Sequence, residues 1–323
     1  MVVLHSIAGN SALAASARPE EPSEPYFVQY QTPAPASLVD AMVPRNGPAA
    51  RCVVNTADGL APPPGSNLAS TVDRFGNRDL FYVAGGQVAN RLQAANGVWG
   101  PGRFDGADIP AAANSHLCAT TGQHDLHLFV QVNANITRYT VPLAGGLAVA
   151  AAVPADNVAA GTALAATTAG GFVHLFYRTN NDPARIRKIV WFGNETDGRQ
   201  HLQAQEDIPD TTDVVAGSGL AAVSFRDEWR LYYHSQYEAF RNIVEVGGEN
   251  PFSINTPVEE GLGLQIAAVV LDPAPADPDI AAGFIRHILF KGPSGAGGGV
   301  VVRRVVTTGG DGGWGPVHDL AGQ

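Results

Sequence analysis

A short motif of glycine, serine, alanine and leucine occurs six times in the chain, and this repetition limits the fold more than any other feature. The first copy runs from Gly9 to Ala17 and the last from Gly261 to Ala268. The aligned leucines are 55, 49, 47, 56 and 44 residues apart, at Leu13, Leu68, Leu117, Leu164, Leu220 and Leu264. Repeats near fifty residues are typical of propellers and of stacked supersecondary units.

Each copy of the motif is followed by a polar turn and an aromatic-rich run, as at residues 74–77 and 80–83. Third and fourth runs follow, at residues 87–90 and 103–105 in the second unit. Their β-branched and aromatic content indicates strands. We therefore predict an all-β fold, a six-bladed β-propeller with four antiparallel strands per blade, as one domain over residues 1–323. The predicted blades cover residues 7–55, 63–109, 112–154, 159–209, 215–258 and 260–323.

Charge and composition exclude several classes of partner. The net charge of -10 argues against nucleic acid and anionic membranes. No apolar run reaches the ~20 residues that span a bilayer. Cys52 and Cys118 fall on different predicted blades, so two buried free thiols are favoured, and a disulfide stays an alternative. The cysteines show no metal-ligand spacing, and we predict no metal and no cofactor. The oligomeric state stays open, with a homodimer as one alternative.

Two sequons, at Asn135 and Asn194, are candidate glycosylation sites beside predicted turns. They favour the secretory pathway or secretion. The first residues lack the basic and apolar segments of a signal peptide, so a cytoplasmic location stays an alternative.

The motif Gly-Ser-x-Leu-Ala, together with second strands of the Leu-Phe/Tyr-Tyr type, resembles the fungal six-bladed fucose-lectin fold over essentially the whole chain. The resemblance implies sugar pockets built from an arginine at the start of a blade's second strand, a glutamate on its third strand and aromatic walls. Blade five keeps this pattern at Arg230, Tyr232, Tyr233 and Glu245. The arginine position in the other blades holds Pro25, Asp79, His127, His174 and His287. The glutamate position becomes Asn90, Arg138 and Lys188 in blades two to four.

Because it lacks most of this sugar-binding pattern, the chain also resembles one branch of such propellers, the fungal hetero-Diels–Alderases of tropolonic sesquiterpene biosynthesis. That resemblance implies a cofactor-free pericyclase. It would dehydrate a tropolone-type carbinol to a quinone methide and direct its cycloaddition to a macrocyclic alkene such as humulene. The small hydrophobic substrate is then the partner; the alternative function is a lectin for fucosylated glycans with fewer sites.

Histidines could serve the dehydration as acid or base, since imidazole titrates near pH 7. The candidate catalytic residues are His127, His174, His287, Arg230 and Tyr233. The candidate substrate-binding residues are Tyr232, His234, Tyr237, Glu245, Phe129, Phe176 and His116. The proline-rich loop at residues 273–278 is a candidate lid over such a site, with a passive insertion as the alternative.

Overall fold

The computed structural model describes most of the chain. The described residues are 13–17, 26–31, 38–43, 50–54, 62, 66–112, 114–194, 199–225, 227–237, 240–247, 252–254, 265–271, 285–293, 300–308 and 318–319. The proline-rich loop at residues 273–278 lies outside them.

The described residues form six four-stranded antiparallel sheets, each made of strands consecutive in sequence. We number these sheets blades 1 to 6. Blade 1 contains β1 (Leu13–Ser16), β2 (Tyr26–Gln31), β3 (Leu38–Val43) and β4 (Ala50–Val53). Blade 2 contains β5 (Leu68–Val72), β6 (Arg78–Ala84), β7 (Gln87–Gln93) and β8 (Trp99–Pro101). Blade 3 contains β9 (Leu117–Thr121), β10 (Asp125–Val132), β11 (Asn135–Pro142) and β12 (Val149–Ala152).

The second half of the chain repeats this arrangement. Blade 4 contains β13 (Leu164–Ala169), β14 (Phe172–Arg178), β15 (Ile186–Asn194) and β16 (Arg199–Asp207). Blade 5 contains β17 (Leu220–Phe225), β18 (Glu228–Tyr237), β19 (Phe240–Val246) and β20 (Phe252–Ile254). Blade 6 contains β21 (Ile266–Leu271), β22 (Ile285–Pro293), β23 (Val300–Thr308) and β24 (His318–Asp319). Within the described residues, no helix is long and apolar enough to cross a membrane.

The first strands of the six blades contact one another in a closed circuit, β1 to β5, β9, β13, β17 and β21, and from β21 back to β1. Blades 1 and 6 share no strand. Leu13 and Val28 of blade 1 instead pack against Val269 and Leu289 of blade 6. The predicted all-β propeller is therefore confirmed, while the single domain over residues 1–323 stays a prediction.

A ring of buried aliphatic side chains begins the inner strands. The strand pairing of Leu220 with Tyr233 in blade 5 has its counterpart in blade 6 in the pairing of Ile266 with Phe290. The sixth ring member is thus Ile266, and the prediction of Leu264 is wrong by two residues. A slip of two residues leaves every side chain on the same face of a strand, so the hydrophobic pattern alone could not detect it.

The second strands carry the aromatic side chains that fill the space between blades. Phe129 is fully buried and stacks on Trp191 of blade 4, with ring centroids 5.7 Å apart. Phe176 is equally buried, and its ring centroid lies 5.1 Å from that of Trp229 of blade 5. The structure therefore places Phe129 and Phe176, two of the predicted substrate-binding residues, in the core between blades, where their burial stabilises the ring.

The turn at residues 74–77 agrees with the prediction, and Gly76 occupies the left-handed region at φ 77°. The predicted outer strand at residues 103–105 is wrong. The outer strand is β8, Trp99–Pro101, and residues 103–106 form a turn closed by Gly106 at φ 79°. This turn directs Arg103 back into the blade, where its guanidinium pairs with Asp73 and Asp79.

Candidate functional site

The pairing of second and third strands identifies which residues occupy equivalent positions in the candidate pockets of the six blades. The pairs Phe81–Asn90, Phe129–Arg138, Phe176–Lys188 and Tyr232–Glu245 join second and third strands in the same way. In each blade, the residue two positions before the second-strand member of this pair occupies the arginine position of the lectin pattern. The six resulting combinations are Phe27 with Asp40, Asp79 with Asn90, His127 with Arg138, His174 with Lys188, Arg230 with Glu245, and His287 with Arg304.

This register changes the assignment for blade 1. Leu13 pairs with Tyr30, so Gln29 corresponds to Tyr232 and the arginine position holds Phe27, not Pro25. Asp40 then occupies the glutamate position. Of the six combinations, Arg230 with Glu245 is the one that joins a cation at the first position to a carboxylate at the second.

Arg230 and Glu245 form an ion pair on the face of blade 5 that is turned towards blade 6. Arg230 Nε lies 3.2 Å from Glu245 Oε1. Its Nη1 donates to the Trp229 carbonyl at 3.1 Å, and its Nη2 donates to Glu228 Oε2 at 2.7 Å. Glu245 is fully buried, Arg230 is 16% exposed and Glu228 is 58% exposed. The guanidinium therefore contacts a buried carboxylate, that of Glu245, on one side and an exposed carboxylate, that of Glu228, on the other.

Tyr232 and His234 share the Arg230 face, because alternate residues of a strand point the same way. Tyr232 packs with Ile266 and Ile288 of blade 6. Tyr233 points to the opposite face, where it packs with Phe176 of blade 4. Thus the structure separates Tyr233 from Arg230, although the two were predicted to act together.

The hydroxyl of Tyr233 is held on that opposite face by a hydrogen bond that it donates to Asp213 Oδ1 at 3.0 Å. Burial, followed by the charge of Asp213, raises the pKa of Tyr233 well above its usual value. Tyr237 is the last residue of β18, and its side chain lies outside the described residues.

The candidate histidines are buried on separate blades. His127 is buried on the same face of β10 as Phe129, with Nδ1 3.3 Å from Thr140 Oγ1, and burial assisted by Arg138 lowers its pKa to about 3. His174 lies near Trp229, and burial assisted by Lys188 lowers its pKa to about 4. Both imidazoles are therefore neutral at pH 7 and cannot donate a proton as imidazolium. The side chain of His287 lies outside the described residues.

His116 precedes β9 and does not line the central channel formed by the inner strands. Burial lowers its pKa to about 4. His116 is half-buried and, like His127 and His174, neutral at pH 7. Its carbonyl accepts a hydrogen bond from Gln131, near the opposite end of β10 from His127, and His174 belongs to blade 4. The structure therefore does not bring the three histidines together into one acid–base site.

We expect the buried histidines to make the protein less stable in acid. The unfolded chain takes up protons near pH 6.5, whereas folded His127 does so only near pH 3, so the free energy of unfolding falls as pH drops below 6.5. His127→Gln removes one such group. Between pH 6.5 and about pH 4, the parent should lose about 1.4 kcal/mol per pH unit more than this variant. Urea denaturation at several pH values measures the two slopes; parallel slopes would contradict a buried neutral imidazole.

A second carboxylate–arginine pair lies between blades 1 and 2, and the sequence analysis did not find it. Arg78 donates through Nη1 and Nη2 to the two oxygens of Asp40, at 2.8 and 2.6 Å. Gln29 also donates to Asp40, at 2.8 Å, and the ring centroid of Phe27 lies 3.5 Å from Arg78 Cζ. Arg78 and Asp40 are 2% and 3% exposed, so these partners fill the space where a ligand would sit. Arg78 belongs to blade 2 and Asp40 to blade 1. A comparison of equivalent positions within single blades therefore cannot detect this pair.

In blades 2 and 4, other side chains of the protein also occupy the equivalent positions. In blade 2, Asp79 pairs with Arg103, and Asn90 donates to the Leu80 carbonyl at 3.2 Å. In blade 4, Lys188 pairs with Glu206 at 2.7 Å, and its Nζ lies 4.7 Å from the Trp229 ring centroid. These contacts close the corresponding spaces between blades.

No group of three or more histidine, cysteine, aspartate or glutamate side chains is placed to hold a metal ion in the part of the chain that the structure describes. Cys118 is a free, buried thiol, and burial raises its pKa. Asn135 is exposed next to the turn between β10 and β11, where a glycan has room. The side chains of Asn194 and Cys52 lie outside the described residues, and glycosylation stays a prediction.

Comparison with solved structures relates this architecture to fungal lectins. AofleA from Arthrobotrys oligospora, in a mutant with three arginines replaced by alanine, superposes with a TM-score of 0.71 at 16% identity, over 98% of this chain and 88% of that chain. A lectin from Aleuria aurantia, described as a six-bladed propeller with a novel fucose recognition mode, gives a TM-score of 0.69 at 16% identity, over 99% of both chains. No protein-family model and no curated protein sequence matches the chain. The chain therefore has the fold of the fungal fucose-lectin propellers.

Proposed function

We propose that the protein is a carbohydrate-binding module with one fucose-type site, between blades 5 and 6. The observation that carries the proposal is the ion pair of Arg230 with Glu245, in the one combination of cation and carboxylate among the six equivalent positions. Structures of the same fold supply the sugar class: the Aleuria aurantia lectin has been crystallised with α-methyl-L-fucoside.

The contacts of Arg230 suit the recognition of sugar hydroxyls. A guanidinium has five N–H donors, and the contacts to Glu245, Trp229 and Glu228 use three of them. The remaining donors can bond two neighbouring hydroxyl oxygens in a fixed fork. The contact of Glu245 with Arg230 Nε already restrains the guanidinium, so little side-chain freedom is lost when a sugar binds.

Glu228 adds an acceptor to this site that the sequence analysis did not consider. It lies two residues before Arg230 on the same strand and therefore on the same face. Its carboxylate is 58% exposed and already contacts Arg230, so it can accept a hydrogen bond from a sugar hydroxyl at the pocket mouth.

The described contacts do not favour the hetero-Diels–Alderase hypothesis. Dehydration of a carbinol needs a proton donor next to the departing hydroxyl. His127 and His174 are neutral at pH 7 and face different blade interfaces, and Tyr233 points away from Arg230. Incubation with a tropolone carbinol and humulene tests this hypothesis directly; a rate and product ratio equal to those in buffer would exclude it.

Titration with methyl α-L-fucoside in a calorimeter tests the lectin proposal. We expect saturable binding at about one sugar per chain, because Arg230 with Glu245 is the one combination of cation and carboxylate and the described positions of blades 1, 2 and 4 are filled by side chains. Methyl α-D-glucoside, which presents its hydroxyls differently, serves as the control. Absence of saturation at millimolar fucoside, or several equal sites per chain, would refute a single fucose-type site.

A further inference from the structure

Glu228 is the first residue of β18 and lies at the mouth of the site between blades 5 and 6. Its carboxylate is 58% exposed, whereas that of Glu245 is fully buried. Both carboxylates contact the guanidinium of Arg230, which is itself 16% exposed. Glu228 is therefore the carboxylate that a ligand meets when it approaches Arg230 from the solvent.

The two carboxylates engage the same edge of the Arg230 guanidinium. Nε lies 3.2 Å from Glu245 Oε1, and Nη2 donates to Glu228 Oε2 at 2.7 Å. Nε and Nη2 together form a fork that can bind two oxygens of one sulfate or carboxylate group. Because carboxylates of the protein already use this fork, a ligand anion must displace Glu228 to bind there. A neutral hydroxyl can instead accept from the remaining N–H groups of Nη1 and Nη2.

The same contacts leave this group of side chains with an excess of negative charge. One guanidinium contacts two carboxylates, those of Glu228 and Glu245. A negatively charged sugar bound next to Arg230 is repelled by Glu228, and like charges a few ångströms apart repel each other appreciably even in water. An uncharged sugar meets no such repulsion, and one of its hydroxyls can donate to the Glu228 carboxylate.

We infer that Glu228 makes this site selective for uncharged fucose-type sugars over those that carry a sulfate or carboxylate group. The inference rests on the carbohydrate site proposed above and names the chemical class of its ligand. Glu245 restrains Arg230 from the interior, whereas Glu228 determines which ligands bind to it from the solvent.

Calorimetric titrations with methyl α-L-fucoside and with its three monosulfates, at O2, O3 and O4, test this selectivity. Glu228→Gln removes the charge but keeps an oxygen acceptor, so the affinity for methyl α-L-fucoside should change less than about threefold. The affinity for at least one monosulfate should rise about 3- to 10-fold relative to that for the fucoside. The steric effect of the sulfate cancels, because the ratio of the two affinities is compared between variant and parent.

Two further measurements separate an effect of charge at Glu228 from other effects of the substitution. The gain for the monosulfate should become smaller at about 0.5 M NaCl, because salt screens exposed charges. Asp227→Asn is the matched control, because Asp227 is an exposed carboxylate next in sequence that lies beside Gly170 of blade 4, away from the Arg230 face. This variant should leave the ratio of the two affinities unchanged.

The outcomes separate the selectivity from the carbohydrate site itself. If the parent binds methyl α-L-fucoside but Glu228→Gln gains affinity for none of the monosulfates, the role of Glu228 is overturned and the site remains. An equal gain in Asp227→Asn would show a general effect of net charge and would overturn that role as well. If the parent does not bind methyl α-L-fucoside, both the site and its selectivity are refuted.

Discussion

Arg78→Ala is expected to lower the free energy of unfolding by about 3–5 kcal/mol. Arg78 and Asp40 are both buried between blades 1 and 2 and are joined by two hydrogen bonds. Removal of the guanidinium leaves a carboxylate in the interior with Gln29 as its described side-chain donor. It also removes the stacking of the guanidinium on Phe27. Equilibrium urea denaturation measures the loss.

Two further variants separate the buried pair from arginine substitution in general. Arg185→Ala is the matched control, because Arg185 is 45% exposed and its Nη1 lies 3.7 Å from Asp207 Oδ2. An exposed pair of this kind contributes roughly 0–1 kcal/mol. Asp40→Leu combined with Arg78→Met replaces both charges by apolar groups and should recover part of the lost stability. A loss below about 1 kcal/mol in Arg78→Ala would contradict the described burial.

Arg230→Ala is expected to weaken the binding of methyl α-L-fucoside at least 100-fold. The substitution removes the donor fork for the sugar and leaves Glu245 buried without its guanidinium partner. Two charge-assisted hydrogen bonds at about 1.5–3 kcal/mol each account for a loss of this size. Arg230→Lys keeps the charge but not the fork, so its affinity should lie between those of the parent and of the alanine variant.

Tyr233→Phe is the matched control for the sugar site. It changes a residue on the same strand whose side chain lies on the opposite face, where its hydroxyl bonds Asp213. Calorimetry should show unchanged fucoside affinity in this variant. Equal affinities of Arg230→Ala and the parent would exclude Arg230 as a sugar ligand, and a large loss in Tyr233→Phe would show that the site extends to the blade 4 face.

The sequence was sufficient to predict the propeller and most of its strands, because alternation and repeat length depend on local chemistry; the outer strand placed at residues 103–105 is the exception. The exact alignment of the repeats could not be predicted from the sequence in every blade. Leu264 and Ile266 have the same parity on their strand, and so do Pro25 and Phe27. Hydrophobicity alone therefore could not choose between them, whereas the hydrogen-bonded register does.

The candidate site was predictable where both partners belong to one blade, as with Arg230 and Glu245. It was not predictable where a partner comes from another blade, as with Arg78 and Asp40. The histidines show a further difficulty. Their positions in the repeat are correct, but burial decides their protonation, and burial depends on the packing of the neighbouring blade.

The order of strands within each sheet has a consequence for how the chain can fold and diverge. Because every sheet consists of consecutive strands, its hairpins close short loops, and each blade can acquire its pairing early. The packing of β1 against β21 joins distant parts of the chain and carries the large entropy cost of ring closure. One blade can also exchange its interblade side chains without altering the backbone hydrogen bonds within the other five sheets, so a ring of equivalent pockets can be reduced to one by independent steps.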